Sequence, residues 1–375
     1  MTSTAASFNP DWASPPGDTI SDLVEERGWT QAELAERLGY TTKHVSQLVN
    51  GKAALTEDAA LRLERVLGAP AHFWLTREAQ YRGQYARLTA NSRLGDWISW
   101  CDRLPVRELI QVGVIPKRRI DAKTKLEIVE ELLRFFSVAS PAEWTQRYAA
   151  MEVAYRRTRA EQSDVGAISA WLRLGEIEAE KVDGPGYDRA RFEAALGELR
   201  GLTTWQPEDF EPRLHNLCRE SGVAFVLVPA IPRAHVSGAA RWLSPHRPLI
   251  QLSLYGKTND RFWFTLFHEA AHVLLHGKKD VFLDDLTGGQ LGGSSLEDEA
   301  NAWAGNILIR NDLAAELPSL QSKTAVKAFA RRIDIHPGIV VGRLQRDGII
   351  DPSWMNDLKV SFRFPDNSHS RAGAG

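Results

Sequence analysis

Cysteine is almost missing from this chain. Only Cys101 and Cys218 occur in 375 residues, far apart and in no zinc-ligand or redox spacing, which excludes a disulfide-stapled secreted scaffold. Both read as reduced thiols, so a cytoplasmic setting is expected. An excess of charge of one sign is missing too. With 46 Lys and Arg against 48 Asp and Glu, no global field draws the chain to nucleic acid or lipid, and any DNA-binding surface has to be local. No apolar run approaches the ~20 residues that cross a bilayer, so no membrane partner is expected. The opening MTSTAASFNPDWASPPGD lacks the charged segment and apolar run of a secretory signal. No internal repeat is present, which excludes a solenoid.

What is there falls into segments. Residues 1–17, rich in Ser, Pro and Ala, are expected to form a flexible arm. Residues 18–90 read as short helices near 19–27, 30–38, 41–50, 56–67 and 71–87, divided by Gly28, Gly39, Gly51 and the Gly68–Pro70 turn. Residues 91–205 continue as a helical middle domain, with amphipathic KLEIVEELLRFF, EWTQRYAAMEVAYRRTR and DRARFEAALGELR. From 206 to 355 the period changes: VAFVLVP, HVSGAARWL and PLIQLSL read as strands around apolar helices. A polar tail over 356–375 closes the chain. The expected fold class is therefore multidomain, with an all-α front half and an α+β back half.

Thr30 to Lys52 reads as two helices and a turn. Thr30 and Glu33 form a capping box. Leu34, Ala35 and Leu38 bury the first helix, Gly39 opens the turn, and Val45 and Leu48 bury the second. That leaves Thr42, Lys43, His44 and Gln47 facing outward near the second helix's N-terminus, where a recognition helix meets base edges. Gln31, at the first helix's start, is placed to hold a phosphate. Between Asp18 and Thr89 nine Lys and Arg stand against ten Asp and Glu, so sequence readout has to come from these few side chains rather than from bulk charge.

This segment resembles the phage-repressor (XRE) class of helix-turn-helix, and PPGDTISDLVEERGWTQAELA resembles the HigA antitoxin branch of it, over about residues 15–90. The resemblance implies a double-stranded DNA operator as partner and, because such repressors bind as dimers, a homodimer.

The second motif is His268-Glu269-Ala270-Ala271-His272. Histidines four apart share one helix face and can share a tetrahedral Zn²⁺, with Glu269 set beside a metal-bound water as general base. Its flanks, RFWFTLF and VLL, are apolar nearly all round, so the helix should be buried. A carboxylate there would cost several kcal/mol unless matched. His276 lies about 12 Å of rise beyond His268, too far to share a coordination sphere. It is expected at the helix end, with a role behind the ligands left open.

The third ligand is sought in SLEDEANAWAGNIL. Glu297 and Glu299 point to nearly opposite sides of a helix. With Leu296, Ala300, Trp303, Ala304 and Ile307 as the buried stripe, Glu299 borders it and is the expected ligand. His336, at the start of IHPGIVVGRLQ, is the candidate donor to the oxyanion, with Arg343 and Tyr255 behind it. PLIQLSLYG is expected to offer an edge to an extended substrate peptide.

These residues resemble the ImmA/IrrE family of metallopeptidases over roughly residues 206–350. That family pairs H-E-x-x-H with a glutamate in an E-x-E-A-x-x-F-A segment, matched here by Glu297, Glu299, Ala300 and Ala304, with Trp303 in place of Phe. The resemblance implies a small gluzincin-like α+β fold, Glu299 as third ligand, and cleavage of a regulatory protein. Two functions are thus expected to compete. One is a DNA-binding regulator fused to a zinc endopeptidase that cuts a repressor, itself included. The other is an antitoxin-type repressor, partnered by an operator and a toxin, whose zinc site is structural or inactive.

Overall fold

The computed structural model describes residues 13–148, 164–253, 258–277, 282–285 and 295–362. The chain divides into two compact units, Met1–Ile98 and Ser99–Gly375. The expected break at residue 90 is displaced because α5, Ala71–Asp96, runs through it as one helix.

The first unit packs α1 (Pro16–Glu26), α2 (Gln31–Leu38), α3 (Thr42–Val49), α4 (Glu57–Leu67) and α5. Its helix ends are written in the sequence. The Thr30 hydroxyl accepts from the Glu33 N–H at 3.2 Å, and the Glu33 carboxylate accepts from the Thr30 N–H at 3.0 Å. Such a box satisfies two donors the helix would otherwise leave bare. Gly39 closes α2 at φ 70°, a left-handed turn that glycine adopts without strain. Ile20, Leu34, Ala35, Leu38, Val45, Leu48, Leu63 and Trp74 form the core; each large aliphatic among them contributes roughly 1.5–3 kcal/mol by burial. The expected arm is shorter than 1–17. Ser14 donates to Asp18 at 2.7 Å and accepts from Arg77 at 3.2 Å. Gly17 lies so close to Val49 that a Cβ would stand 1.8 Å from the Val49 carbonyl oxygen. Residues 1–12 lie outside the described residues.

The second unit begins with α6 (Val106–Gln111), α7 (Ala122–Phe136) and α8, helical over the described residues 141–148. The rest of EWTQRYAAMEVAYRRTR falls outside the described residues. Next come α9 (Val165–Glu180), α10 (Arg189–Gly201) and α11 (Pro207–Glu220). Four strands follow: β1 (Ala224–Val228), β2 (Val236–Ser244), β3 (Arg247–Ser253) and β4 (Phe282–Asp285). Helix α12 (Asn259–Leu275) lies between β3 and β4. After them come α13 (Ser295–Leu308), α14 (Asn311–Ala314), α15 (Lys323–Arg332) and α16 (Pro337–Arg346). The sheet order is β1-β3-β2-β4, with β1 parallel to β3 and the β2 pairings antiparallel. Both edges of β3 are taken, so it cannot accept a substrate peptide, contrary to expectation. No helix among the described residues is long and apolar enough to cross a membrane.

Strand alternation assigns the two faces of the sheet. Ala240, Ile250 and Leu252 pack with Trp263, Leu266 and Phe267 of α12. Gln251 and Arg241 point the other way, into α9, where Gln251 donates to the Trp171 carbonyl at 2.7 Å and Arg241 to Glu176 at 2.8 Å. The sheet is thus covered on both faces. The back part of the segment expected as a separate middle domain belongs to the same compact unit as the sheet, because α9 supplies one of those covers.

Arg241 is 6% exposed, and burial lowers its pKa against the pull of Glu176. Burial alone would raise the Glu176 pKa, but Arg241, Arg173 and Arg147 outweigh it and bring it down. Arg241→Ala leaves Glu176 buried with two partners instead of three. The expected loss is about 2–4 kcal/mol, just under the cost of stripping a buried ion of its only partner. Urea unfolding checks it: a midpoint within error of wild type would show the bridge to be energetically idle.

The chain returns to the start of α12 before it leaves the described region. Asn259 donates its N–H to the Val360 carbonyl at 2.8 Å and accepts the Val360 N–H at 3.1 Å. Lys359 pairs with Asp260 at 2.7 Å. Phe362, 4% exposed, joins Phe210 and Phe262. The polar tail expected from 356 is therefore packed as far as 362.

Candidate metal centre and nucleic-acid interface

Helix α12 is apolar on every side: Phe262, Trp263, Leu266, Phe267, Ala270, Val273 and Leu274 are all buried. Three ionisable groups share that burial, with His268 and His272 each 2% exposed and Glu269 0%. One helical turn brings the His268 and His272 Nε2 atoms within 2.9 Å. From α13 the Glu297 carboxylate approaches them at 3.2 and 3.6 Å. Donor atoms of these three residues all lie within 4.8 Å of one another. Ligands at ~2.0–2.1 Å from a tetrahedral zinc stand about 3.3 Å apart. The observed separations bracket that value, so the residues fit a zinc ion.

Protonation fits as well. Burial, aided by His268 and His276, lowers the His272 pKa and so favours the neutral imidazole that binds metal. Burial acts to raise Glu297, but hydrogen bonding and charge from His268 and His272 prevail and bring it to about 2. His268 Nδ1 lies 3.1 Å from Asn301 Oδ1. An N–H donated there leaves the His268 Nε2 lone pair facing the cluster. The Glu269 carboxylate lies against Gly238 of β2. A Cβ on Gly238 would lie 2.5 Å from its Oε1, so only glycine at 238 leaves room for the carboxylate.

Several expected roles change. The histidines meet Glu297 rather than Glu299; Glu299 instead lies 3.4 Å from His276 Nε2. Helix α13 meets α12 through its small residues Ala300 and Ala304, buried with Leu308, while Gly305 faces Arg343 and Arg346 of α16. Trp303 and Ile307, read as core, are only half-buried and line an open depression with Arg200 and Arg310. The true contact line is rotated toward Ala300, which carries Glu297 and Asn301 to the histidines. Asn301 and Gly238 were not anticipated, though Asn301 is four after Glu297, on the same helix face.

His336 is not at the cluster. Its Nδ1 accepts from the Gly338 N–H at 3.0 Å and lies 2.6 Å from Asn259 Nδ2, so it caps α16. Asn259 precedes His268 by nine residues, about 13 Å of helix. Burial lowers the His336 pKa, with Asp260 opposing. Arg343 pairs with Asp347 at 2.6 Å and lies against Gly305, eight residues and about 12 Å along α13 from Glu297. Tyr255 lies outside the described residues, as does most of the glycine-rich loop DDLTGGQLGGSS.

On the first unit, Gln31, Thr42, Lys43 and Gln47 are exposed. They cluster at the start of α2 and along α3, as a recognition helix requires. His44 differs: it is half-buried with its ring edge-on to Tyr40, centroids 4.7 Å apart. Nearby arginines are already engaged, Arg37 over the Trp29 ring at 4.1 Å and Arg62 on Asp58 at 2.6 Å.

Two family models match the chain: one described as helix-turn-helix over residues 20–74, and one described as an IrrE N-terminal-like domain over residues 227–345. The second span holds His268, Glu269, His272 and Glu297. Among curated proteins the chain is similar to YddM of Escherichia coli (strain K12), an uncharacterised HTH-type transcriptional regulator. Identity is 35% over 80 residues, covering 21% of this chain and 85% of that protein. A crystal structure from Nostoc punctiforme, named as an antidote protein of a plasmid maintenance system, is 28% identical. It matches 21% of this chain and 86% of its own, with a TM-score of 0.20.

Proposed function

We propose, because the chain belongs to the XRE-type helix-turn-helix transcriptional regulators and carries an IrrE-like domain in its second unit, that it is a DNA-binding regulator whose second unit is a zinc-dependent endopeptidase cutting a regulatory protein. The carrying observation is the convergence of His268, His272 and Glu297 within 4.8 Å, with the buried Glu269 next in sequence to the first of them. A structural zinc site closes with four protein ligands, whereas a catalytic one uses three and keeps a position open. Three donors and an adjacent carboxylate suit the second kind.

Zinc held by these three residues would supply Lewis acidity for a water and a scissile carbonyl. The chain's own residues do the rest. Glu269 takes the proton from the attacking water on a carboxylate oxygen and returns it to the departing amine nitrogen. His268 and His272 would hold the ion through their Nε2 lone pairs, and Glu297 through its carboxylate. Glu269 is itself 0% exposed, so bulk water does not compete for its carboxylate.

The front unit reads a double-stranded operator through Lys43 and Gln47, with Thr42 beside them and Gln31 on a phosphate; a homodimer places two such helices on two half-sites. Removing Gln47 is expected to cost about 1–3 kcal/mol of base discrimination, and Lys43→Ala to weaken binding further. Titration of the double variant against the operator checks this; unchanged affinity would move the reading face elsewhere.

The deciding comparison sets wild type against Glu269→Gln, each with zinc measured, on candidate repressors and on the protein itself. Cleavage by wild type alone is the expected result. If both hold zinc and leave every candidate uncut while an operator is bound, the protein is instead a repressor with a structural metal site.

A further inference from the structure

We propose that His276 and Glu299 form a positioning pair that fixes the ligand tautomer of His272; the inference rests on the metal-centre reading above. At His276 the chain leaves α12, at φ −109° and ψ 170°. Its N–H still donates to the His272 carbonyl at 3.2 Å. This turn folds the imidazole back along the helix, so that its side chain is 1% exposed and its Nδ1 lies 2.8 Å from the Nδ1 of His272. The far nitrogen of His276 faces the Glu299 carboxylate at 3.4 Å.

The proton positions follow from the ends of this chain. An ionised carboxylate only accepts, so His276 presents an N–H at Nε2. A neutral imidazole has one N–H, so the His276 Nδ1 is an acceptor. Its close neighbour, His272 Nδ1, must then be the donor. The remaining His272 nitrogen, Nε2, is left with a bare lone pair, and it is the one 2.9 Å from His268 Nε2 and 3.6 Å from Glu297. Reversing the inner bond would put the only His272 proton at Nε2, where it would block the metal. Partners behind a metal-binding histidine select its tautomer in this way.

The two links are unequal. The inner one is short and buried. The outer one is long and ends on a carboxylate that is 57% exposed, where water competes and the geometry is loose. His276 therefore carries most of the effect and Glu299 biases it.

The test is zinc affinity, measured by competition with a chelating indicator on the full-length protein, with circular dichroism confirming the fold. Wild type should bind one zinc ion. His276→Ala should weaken binding by about 10–100-fold at unchanged helicity, and Glu299→Ala by less than about tenfold. His276→Gln restores an acceptor oxygen for the His272 N–H; it should recover part of the loss, and it stands in if the alanine variant fails to fold. Wild-type binding of zinc with both His276 variants within about twofold would overturn the pair while leaving the metal centre intact. Absence of zinc from wild type would overturn the metal centre and the pair with it.

Discussion

Glu297→Gln empties the protein of zinc under conditions that saturate wild type, and Glu299→Gln leaves it loaded. The reason is charge and reach together. The Glu297 carboxyl, held low by His268 and His272, is ionised at neutral pH and is the single negative ligand the cluster offers a dication. The amide keeps the shape but discards the charge that offsets the dication, so the loss should exceed the 10–100-fold that outer partners carry and reach about 10³-fold or more. Metal content after dialysis, with Kd by competition, checks both variants. Zinc retained in Glu297→Gln but lost from Glu299→Gln would return the ligand role to Glu299. The pH dependence has a definite sign. Zinc needs His272 neutral and Glu297 ionised, and both pKa values are shifted down. Loading should therefore persist as pH falls through the ordinary histidine range near 6.5, and fail only when acid finally protonates the imidazoles.

That exchange between two glutamates shows where sequence reading reaches its limit. Local rules were legible: the Thr30–Glu33 capping box, the Gly39 turn, the period-two strands and the i, i+4 histidines all depend on residues within a turn or two of each other. The third ligand depends on how one helix rotates against another. The large residues Trp303 and Ile307 drew the buried stripe to the wrong side, yet close helix approach is set by small ones, here Ala300 and Ala304. A stripe drawn through the alanines would have put Glu297 and Asn301 on the metal side. His336 erred in a similar way, since a histidine before a helix-starting proline is first a cap. Which strand stands at a sheet edge was not legible either. The pairing of β3 with both β1 and β2 comes from chain segments separated by loops, and no periodicity within PLIQLSL records it. The same holds for α9, whose cover over the outer sheet face joins the middle segment to the second unit through Arg241 and Glu176.

Glu269→Gln is expected to abolish cleavage while keeping both zinc and operator binding. A positioned general base contributes about 10²–10⁴-fold, and an amide of the same shape has no basic oxygen with which to take the proton. Packing over Gly238 is preserved, because Gln fills the space that glycine leaves open. Stability should not fall. Glu269 is 0% exposed, and an amide of the same shape keeps its packing. The variant thus separates chemistry from structure: equal zinc content, an equal Tm, unchanged operator affinity, and a cleavage rate at least about 10²-fold lower. Cleavage within a few-fold of wild type would remove Glu269 as the base. A lower Tm with lost zinc would instead show that its carboxylate helps to hold the ion.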